Sequence, residues 1–261
     1  MLYLLSPAKS LDYRTPVPAA VLKRATEPAF VDEAAALVQR LAPLSPAELA
    51  RLMGLSEELA ALNVARFGAW SARADERNSR PASFAFDGDV YTGLQARSLK
   101  ASELDWAQQH LVILSGLYGA LRPLDRLQAY RLEMGTRLAN ERGRDLYAYW
   151  GDTLASYLNG RQVDERMPVI VNLASQEYSR VVKRDALRAR IVDCVFEEWR
   201  AGQYKVIGFF AKRARGLMAR WAVQNRAVGV KTLERFDAEG YGFDRAASAR
   251  ARLVFRRRVV V

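Results

Sequence analysis

The chain has 261 residues, half of them hydrophobic, and one cysteine, so it can build a sizeable core but no internal disulfide. Composition excludes disordered, collagen-like and disulfide-scaffold classes, and no run of 18 apolar residues is present to span a bilayer. The net charge of +11 is uneven: residues 201–261 hold fourteen Lys+Arg against four Asp+Glu, and residues 1–200 hold twenty-six against twenty-five. Such a basic block attracts phosphate polymers or anionic surfaces, although a solvated arginine-rich face carries the same signature.

Leu2–Leu5 reads as a buried strand that stops at Ser6-Pro7, with Lys9 close behind. The N-terminus lacks a basic n-region and has only four apolar residues after Met1, so no secretory signal and a cytoplasmic location are expected. Residues 11–28 hold three prolines, Pro16, Pro18 and Pro28, the mark of an irregular surface segment. Phe30, Ala34, Leu37, Val38 and Leu41 keep helical spacing up to Pro43. Ser45-Pro46-Ala47-Glu48 is a capping box with proline at the first helical position. The helix it opens is expected to close at Gly54, and Ser56 to cap a second helix from Glu57 to Phe67, which makes a helical hairpin over about 45–67.

Residues 71–83 read as a loop, and 83–94 as strand pieces around an Asp87-Gly88 turn. A helix over 101–110 leads into a strand at 111–114, followed by a turn rich in Gly and Pro. One amphipathic helix is expected over 141–160, a strand at 168–173 and a helix at 179–190. Residues 191–199 and 203–211 read as a strand pair turning at Ala201-Gly202, before a helix over 212–227 and a strand-like tail, LVFRRRVVV. Helices alternate with apolar runs and no linker divides the chain. The expected fold is a single α/β (α+β) domain over 1–261, with a mostly buried central mixed sheet and surrounding helices.

Three apolar runs end in serines, Ser6, Ser115 and Ser175. If those strands are parallel neighbours, their C-terminal ends share one edge of the sheet, where open α/β sheets place ligands. The polar residues that follow would then converge into a cleft: Lys9, Tyr118, Arg122, Glu177 and Tyr178. A serine that merely terminates a strand and caps the next element gives the same local pattern. On a 100° projection of 211–226, Ala214, Leu217, Met218 and Trp221 form an inward stripe. Arg213 and Arg220 fall on one flank, and Lys212, Arg215 and Arg226 on the other. A start near residue 212 would set Lys212 and Arg213 at the helix N-terminus, where a bound phosphate would justify two cations.

Much familiar chemistry is missing. One His (His110) and one Cys (Cys194) cannot build a zinc or iron–sulfur site, and neither GxxxxGK[ST] nor GxGxxG occurs. No metal and no cofactor are expected. His110 enters the strand that Ser115 leaves, so the two should lie at opposite ends of it and form no triad. Asp87, Asp89, Glu133 and Glu177 are the candidate carboxylates; the first two also fit plain turn chemistry.

The segments SPAKSLDY (6–13), FDGDVYTGL (86–94), LSGLYGALRPLD (114–125), YRLEMG (130–135), NLASQEY (172–178) and FFAKRARGLMARW (209–221) together resemble the YaaA peroxide-stress family, collinearly and over essentially the whole chain. The resemblance implies a cytoplasmic bacterial protein that protects against hydrogen peroxide and is linked to lowering free iron and to DNA repair. It also implies an α/β fold with a positively charged cleft and a helix-hairpin-helix element, binding duplex or branched DNA, with no established catalytic activity. The hairpin at 45–67 is the natural match for that element, which makes Gly54, Leu55 and Ser56 candidate DNA contacts. Glu57 and Glu58 set negative charge beside them. The other DNA-binding candidates are Lys9, Arg122, Lys212, Arg213, Arg215, Arg220 and Arg226.

Two functions remain open on the sequence. The first is a DNA-binding protein that reads shape and backbone, without a membrane or a known protein partner. The second is an enzyme acting on a nucleobase, nucleotide or nucleic acid in the same cleft.

Overall fold

The computed structural model describes residues 1–258. Its centre is an eight-stranded mixed sheet. The strands are β1 (Leu2–Leu5), β2 (Leu111–Ser115), β3 (Gly119–Leu121), β4 (Val169–Leu173), β5 (Arg190–Arg200), β6 (Gln203–Lys205), β7 (Gly242–Phe243) and β8 (Arg252–Arg257). Across the sheet they run β7, β8, β5, β4, β1, β2, β3, with β6 folded back on β5. β1 is parallel to both β2 and β4, with Tyr3 opposite Leu111 on one side and Val171 on the other. β4 and β8 both pair parallel to β5, while β3 and β7 close the two ends antiparallel. β1, covered on both faces and flanked on both edges, is fully buried, which is why it reads as a continuous apolar run rather than an alternation.

Helices surround this sheet: α1 (Val31–Leu41), α2 (Pro46–Met53), α3 (Glu57–Ala69), α4 (Asp89–Leu94), α5 (Ala101–His110), α6 (Thr153–Arg161) and α7 (Gly208–Gln224). Ala34, Leu37, Val38 and Leu41 of α1 are buried as the spacing predicts. The Ser45 hydroxyl accepts from Glu48 N at 3.3 Å, and the Glu48 carboxylate accepts from Ser45 N at 2.9 Å. Gly54 closes α2 at φ +62°, a conformation that disfavours any residue with a β-carbon. Ser56 caps α3, which runs past Gly68 to Ala69. Among the described residues no helix is long and apolar enough to cross a membrane.

Several elements differ from expectation. Residues 83–94 form a short helix, a two-residue strand and then α4, so VYTGL is helical. Packing decides this: Gly93 of α4 and Gly216 of α7 meet backbone to backbone. The helix expected over 141–160 breaks into Leu146–Trp150 and α6, because Gly151 takes φ +43° between them. The inward face is still right, with Leu146, Trp150, Leu154 and Leu158 all buried. Residues 180–189 turn instead of forming a helix, which is confined to Gln176–Ser179. α7 begins at Gly208, four residues earlier than predicted, and takes over what looked like the end of a strand. The tail strand covers Arg252–Arg257, and Val259–Val261 lie outside the described residues.

The crossing of α4 and α7 tolerates no side chain. A β-carbon on Gly216 would overlap the Val90 carbonyl, and one on Gly93 the Arg213 carbonyl. Gly216→Ala is therefore expected to cost about 2–4 kcal/mol of folding stability. Gly68→Ala, inside α3 with open space around it, is expected to add about 0.5–1 kcal/mol. Urea-unfolding midpoints check both; a neutral Gly216→Ala would mean that the crossing yields.

Candidate functional site

The parallel pairing of β1 with β2 and β4 carries Ser6, Ser115 and Ser175 to one edge of the sheet. A cavity of about 460 Å³ opens there. Five segments supply its walls: residues 6–10 after β1, 87–90 at the start of α4, 130–133, 175–178 after β4, and Lys212 with Arg215 from α7. The loops are fastened to each other. Ser6 Oγ accepts from Ser175 N at 2.8 Å, and the Tyr91 hydroxyl donates to the Ser6 carbonyl at 3.0 Å. The Tyr147 hydroxyl donates to the Glu177 carbonyl at 2.9 Å, and Glu177 Oε1 accepts from Gly135 N at 3.0 Å. Burial pushes the Tyr91, Tyr130 and Tyr178 phenols far up, so they stay neutral hydroxyls at physiological pH.

The cavity is not uniformly basic. Four cations line it (Lys9, Arg131, Lys212 and Arg215) together with four carboxylates (Asp87, Asp89, Glu133 and Glu177). Glu133 alone takes two of the cations, Lys9 at 2.8 Å and Arg131 at 3.2 Å. Lys212 and Arg215 differ: among the described residues neither side chain has an ion-pair or hydrogen-bond partner. Lys212 is exposed, whereas Arg215 is half-buried and its Nε is sealed off unpartnered. Burial lowers the Arg215 pKa, opposed by Cys194 and the Asp193 carboxylate. A half-buried guanidinium without a local partner is costly in an empty site and favourable beside an anion. Among the described residues, no three His, Cys, Asp or Glu side chains gather as a metal site.

A second groove adjoins the cavity and shares Glu133 and Glu177 with it. Arg51, Leu52, Met53 and Arg137 form its other walls, so the last turn of α2 reaches the cleft mouth. The expected hairpin contacts Gly54, Leu55 and Ser56 follow Met53 directly and are not part of that lining. The groove is instead walled by the helix end that precedes the turn.

The other candidates divide clearly. Ser6, Lys9, Ser175, Glu177, Tyr178, Lys212 and Arg215 meet in the cavity. Ser115 and Tyr118, expected in the cleft, are buried beneath it. Ser115 Oγ bonds the Tyr130 hydroxyl at 2.6 Å and accepts from Tyr118 N at 2.9 Å, and the Tyr118 hydroxyl accepts from Trp70 Nε1 at 2.8 Å. They support Tyr130, which does line the cavity. Arg122 is spent on the buried Asp125, at 3.0 Å from Nε, and on the Glu27 carbonyl. Arg213 forks onto Glu239, both oxygens 3.0 Å from Nε. Arg220 donates to the Leu94 and Gln95 carbonyls and to Ser98 Oγ at 2.8 Å. These three arginines hold the fold together. Arg226 follows the end of α7 at φ +47°, roughly 20 Å along the axis from Lys212. The helix-terminus argument for Lys212 and Arg213 also falls: with α7 starting at Gly208, both lie beyond the free N–H groups of the first turn.

Sequence reasoning missed Arg131 and Tyr130, and it held Asp87 and Asp89 as candidate carboxylates that plain turn chemistry explains equally well; both line the cavity. A signal for the first two exists. In Tyr130-Arg131-Leu132-Glu133-Met134 the odd and even positions alternate buried and part-exposed, a strand-like period in a segment that pairs with no strand. The buried set, Tyr130, Leu132 and Met134, anchors the segment, and Tyr130 to Glu133 together line the cavity.

The model of the family described as peroxide stress protein YaaA matches residues 1–247. A UPF0246 protein of Variovorax paradoxus is 60% identical over 261 residues, covering 99% of both chains. Another, of Leptothrix cholodnii, is 62% identical over 257 residues and covers 98% of both. A third, from Bordetella avium, is 57% identical over 259 residues, with 99% of this chain and 100% of its own covered. At that identity, and with the family pattern running from Met1 through the cavity segments to residue 247, the chain belongs to the peroxide stress protein YaaA family.

Proposed function

We propose that this chain binds DNA during peroxide stress, seating one nucleotide in the cleft with its phosphate on Lys212 and Arg215. The observation that carries the reading is the pair of cations from one helix that face the cavity without a carboxylate of their own. Scale supports it. A cavity of about 460 Å³ lies within the range of small-ligand pockets, about 300–1,000 Å³, too small for a duplex and roomy enough for a nucleotide. The cations around the mouth support it as well: Lys9 is exposed there, and Arg51 and Arg137 continue the positive charge into the adjoining groove. Backbone contacts of this kind position a nucleic acid without reading its sequence.

The four carboxylates favour a second reading. Asp87, Asp89, Glu133 and Glu177 beside cations are the material of general acid–base chemistry, so the same seat suits an enzyme acting on a nucleobase, nucleotide or nucleic acid. Product formation from nucleotides or branched DNA, abolished by Glu177→Gln with DNA affinity retained, would establish it over passive binding.

The five cations named above (Lys9, Arg51, Arg137, Lys212 and Arg215) contact phosphate in the leading reading, so affinity should fall about 500-fold between 50 and 200 mM salt. Lys212→Ala and Arg215→Met should weaken binding to all sequences alike, whereas Arg213→Ala and Arg220→Ala should lower folding stability and leave affinity within twofold. Fluorescence anisotropy over a salt series measures this. A flat salt response, or a loss confined to Arg213→Ala, contradicts the reading. Arg215→Met is also expected to raise folding stability by about 1 kcal/mol, because it removes a half-buried guanidinium whose Nε has no hydrogen-bond partner. A destabilised Arg215→Met would mean that the arginine is structural.

A further inference from the structure

Phe209 stands on the first turn of α7 with its side chain in water; the residue is 59% exposed. It is an aromatic ring left out of a core that has absorbed nearly every other large apolar group. Its backbone is well held. The neighbouring Phe210 ring meets Phe209 edge-on at 5.5 Å, and Phe210 is itself covered by the Arg200 and Arg257 guanidiniums at 5.6 and 5.1 Å. Arg257 is anchored in turn on the buried Glu198 at 3.1 Å.

The position of the ring follows from the helix crossing. α4 and α7 run in parallel: Gly93 abuts Arg213 and Leu217, and Arg220 reaches Leu94, Gln95 and Ser98. One turn back along α7 from Arg213, Phe209 lies on the side of the crossing toward the start of α4, where Gly88 and Asp89 line the cavity, and is not itself part of that lining. Phe209 and Lys212 are three residues apart, so their β-carbons are about 5–6 Å apart on one helix surface. An exposed ring therefore sits beside the cation proposed to hold a phosphate. Val206, three residues before Phe209 in the chain, is 51% exposed, and the exposed Lys205 precedes it. A small aromatic spot rimmed by lysines matches the chemistry of single-stranded nucleic acid, with π-faces on a charged backbone.

We propose that Phe209 is a stacking platform for an unpaired nucleobase at the cleft mouth, next to the nucleotide whose phosphate rests on Lys212. This rests on the DNA reading above and narrows it to DNA that offers an unpaired base, gapped or frayed, in preference to intact duplex. The ring takes the base that flanks the seated nucleotide, and intact duplex, whose bases already stack on each other, gains nothing from it.

The test uses full-length protein and a gapped duplex with 2-aminopurine at the unpaired position, alongside intact duplex of the same sequence. Wild type should quench the 2-aminopurine and prefer the gapped form. Phe209→Ala should lose the quench and about 5- to 100-fold in affinity for gapped DNA, with duplex affinity within twofold. Phe209→Trp should restore both. Because the residue is exposed, unchanged thermal unfolding serves as the folding control. Equal losses on gapped and intact DNA, or binding without quenching by wild type, overturn the platform and leave the DNA reading standing. Absence of DNA binding by wild type overturns both. Wild-type binding to anionic phosphatidylglycerol vesicles that Phe209→Ala abolishes would assign the ring to a lipid surface and overturn the platform as well.

Discussion

Two glycines decide where the charge of this protein is spent. Gly93 and Gly216 let α4 and α7 touch through their backbones, and that contact sets both the depth and the rotation of α7. With the rotation fixed, Arg213 and Arg220 must point toward Glu239 and the end of α4, where they are bonded. Lys212 and Arg215, on the other flank, must face the cavity. The sheet provides the opposite wall. Because β1 lies between β2 and β4 in parallel register, the loops leaving β1 and β4 emerge side by side, and Ser6 ties them together through Ser175 N. The site is a consequence of one close helix crossing and one parallel strand triplet.

The net charge of +11 does not spread into a uniform basic surface. Much of the C-terminal excess is answered locally. Arg256 meets Glu197 and Asp244, Arg257 meets Glu198 and Glu239, and Arg245 meets Glu234. Exposed pairs such as Arg245 with Glu234 contribute about 0–1 kcal/mol each. Glu198 is different. It is buried, so its charge requires partners, and it has them in Arg257 and the Tyr241 hydroxyl. These arginines fasten β7 and β8 to β5. Inside the cavity Glu133 likewise occupies Lys9 and Arg131. Among the described residues that line the cavity, the pair on α7 is what stays without an ion pair.

The sequence makes the sheet edge and the capped helices legible because their signals are local. Ser6 and Ser175 end buried strands, and Ser45 with Glu48 closes a capping box that the structure shows in full. The hairpin turn is legible through Gly54. The errors share a cause in contacts distant along the chain. VYTGL looks like a strand until Gly216 is known to press on Val90. GFFA looks like the end of a strand because nothing local records that Gly208 starts α7. Charge was misjudged for the same reason: Arg213 lies 26 residues from Glu239 and Arg220 lies 126 from Leu94, so neither engagement can be read from neighbouring positions. Arg131 could have been found from the alternation of Tyr130 to Met134, a period-two pattern with no strand beside it.

The central claim is that anions enter through the cleft and not across the hairpin turn. Amide chemical-shift mapping of the isotope-labelled protein with a short gapped oligonucleotide tests it most directly. The account predicts shifts confined to residues 6–10, 51–53, 87–90, 130–137, 175–178 and 209–215, with the loop at Gly54 to Ser56 little moved. Shifts centred on Gly54 to Glu58, with Lys212 and Arg215 silent, would contradict it.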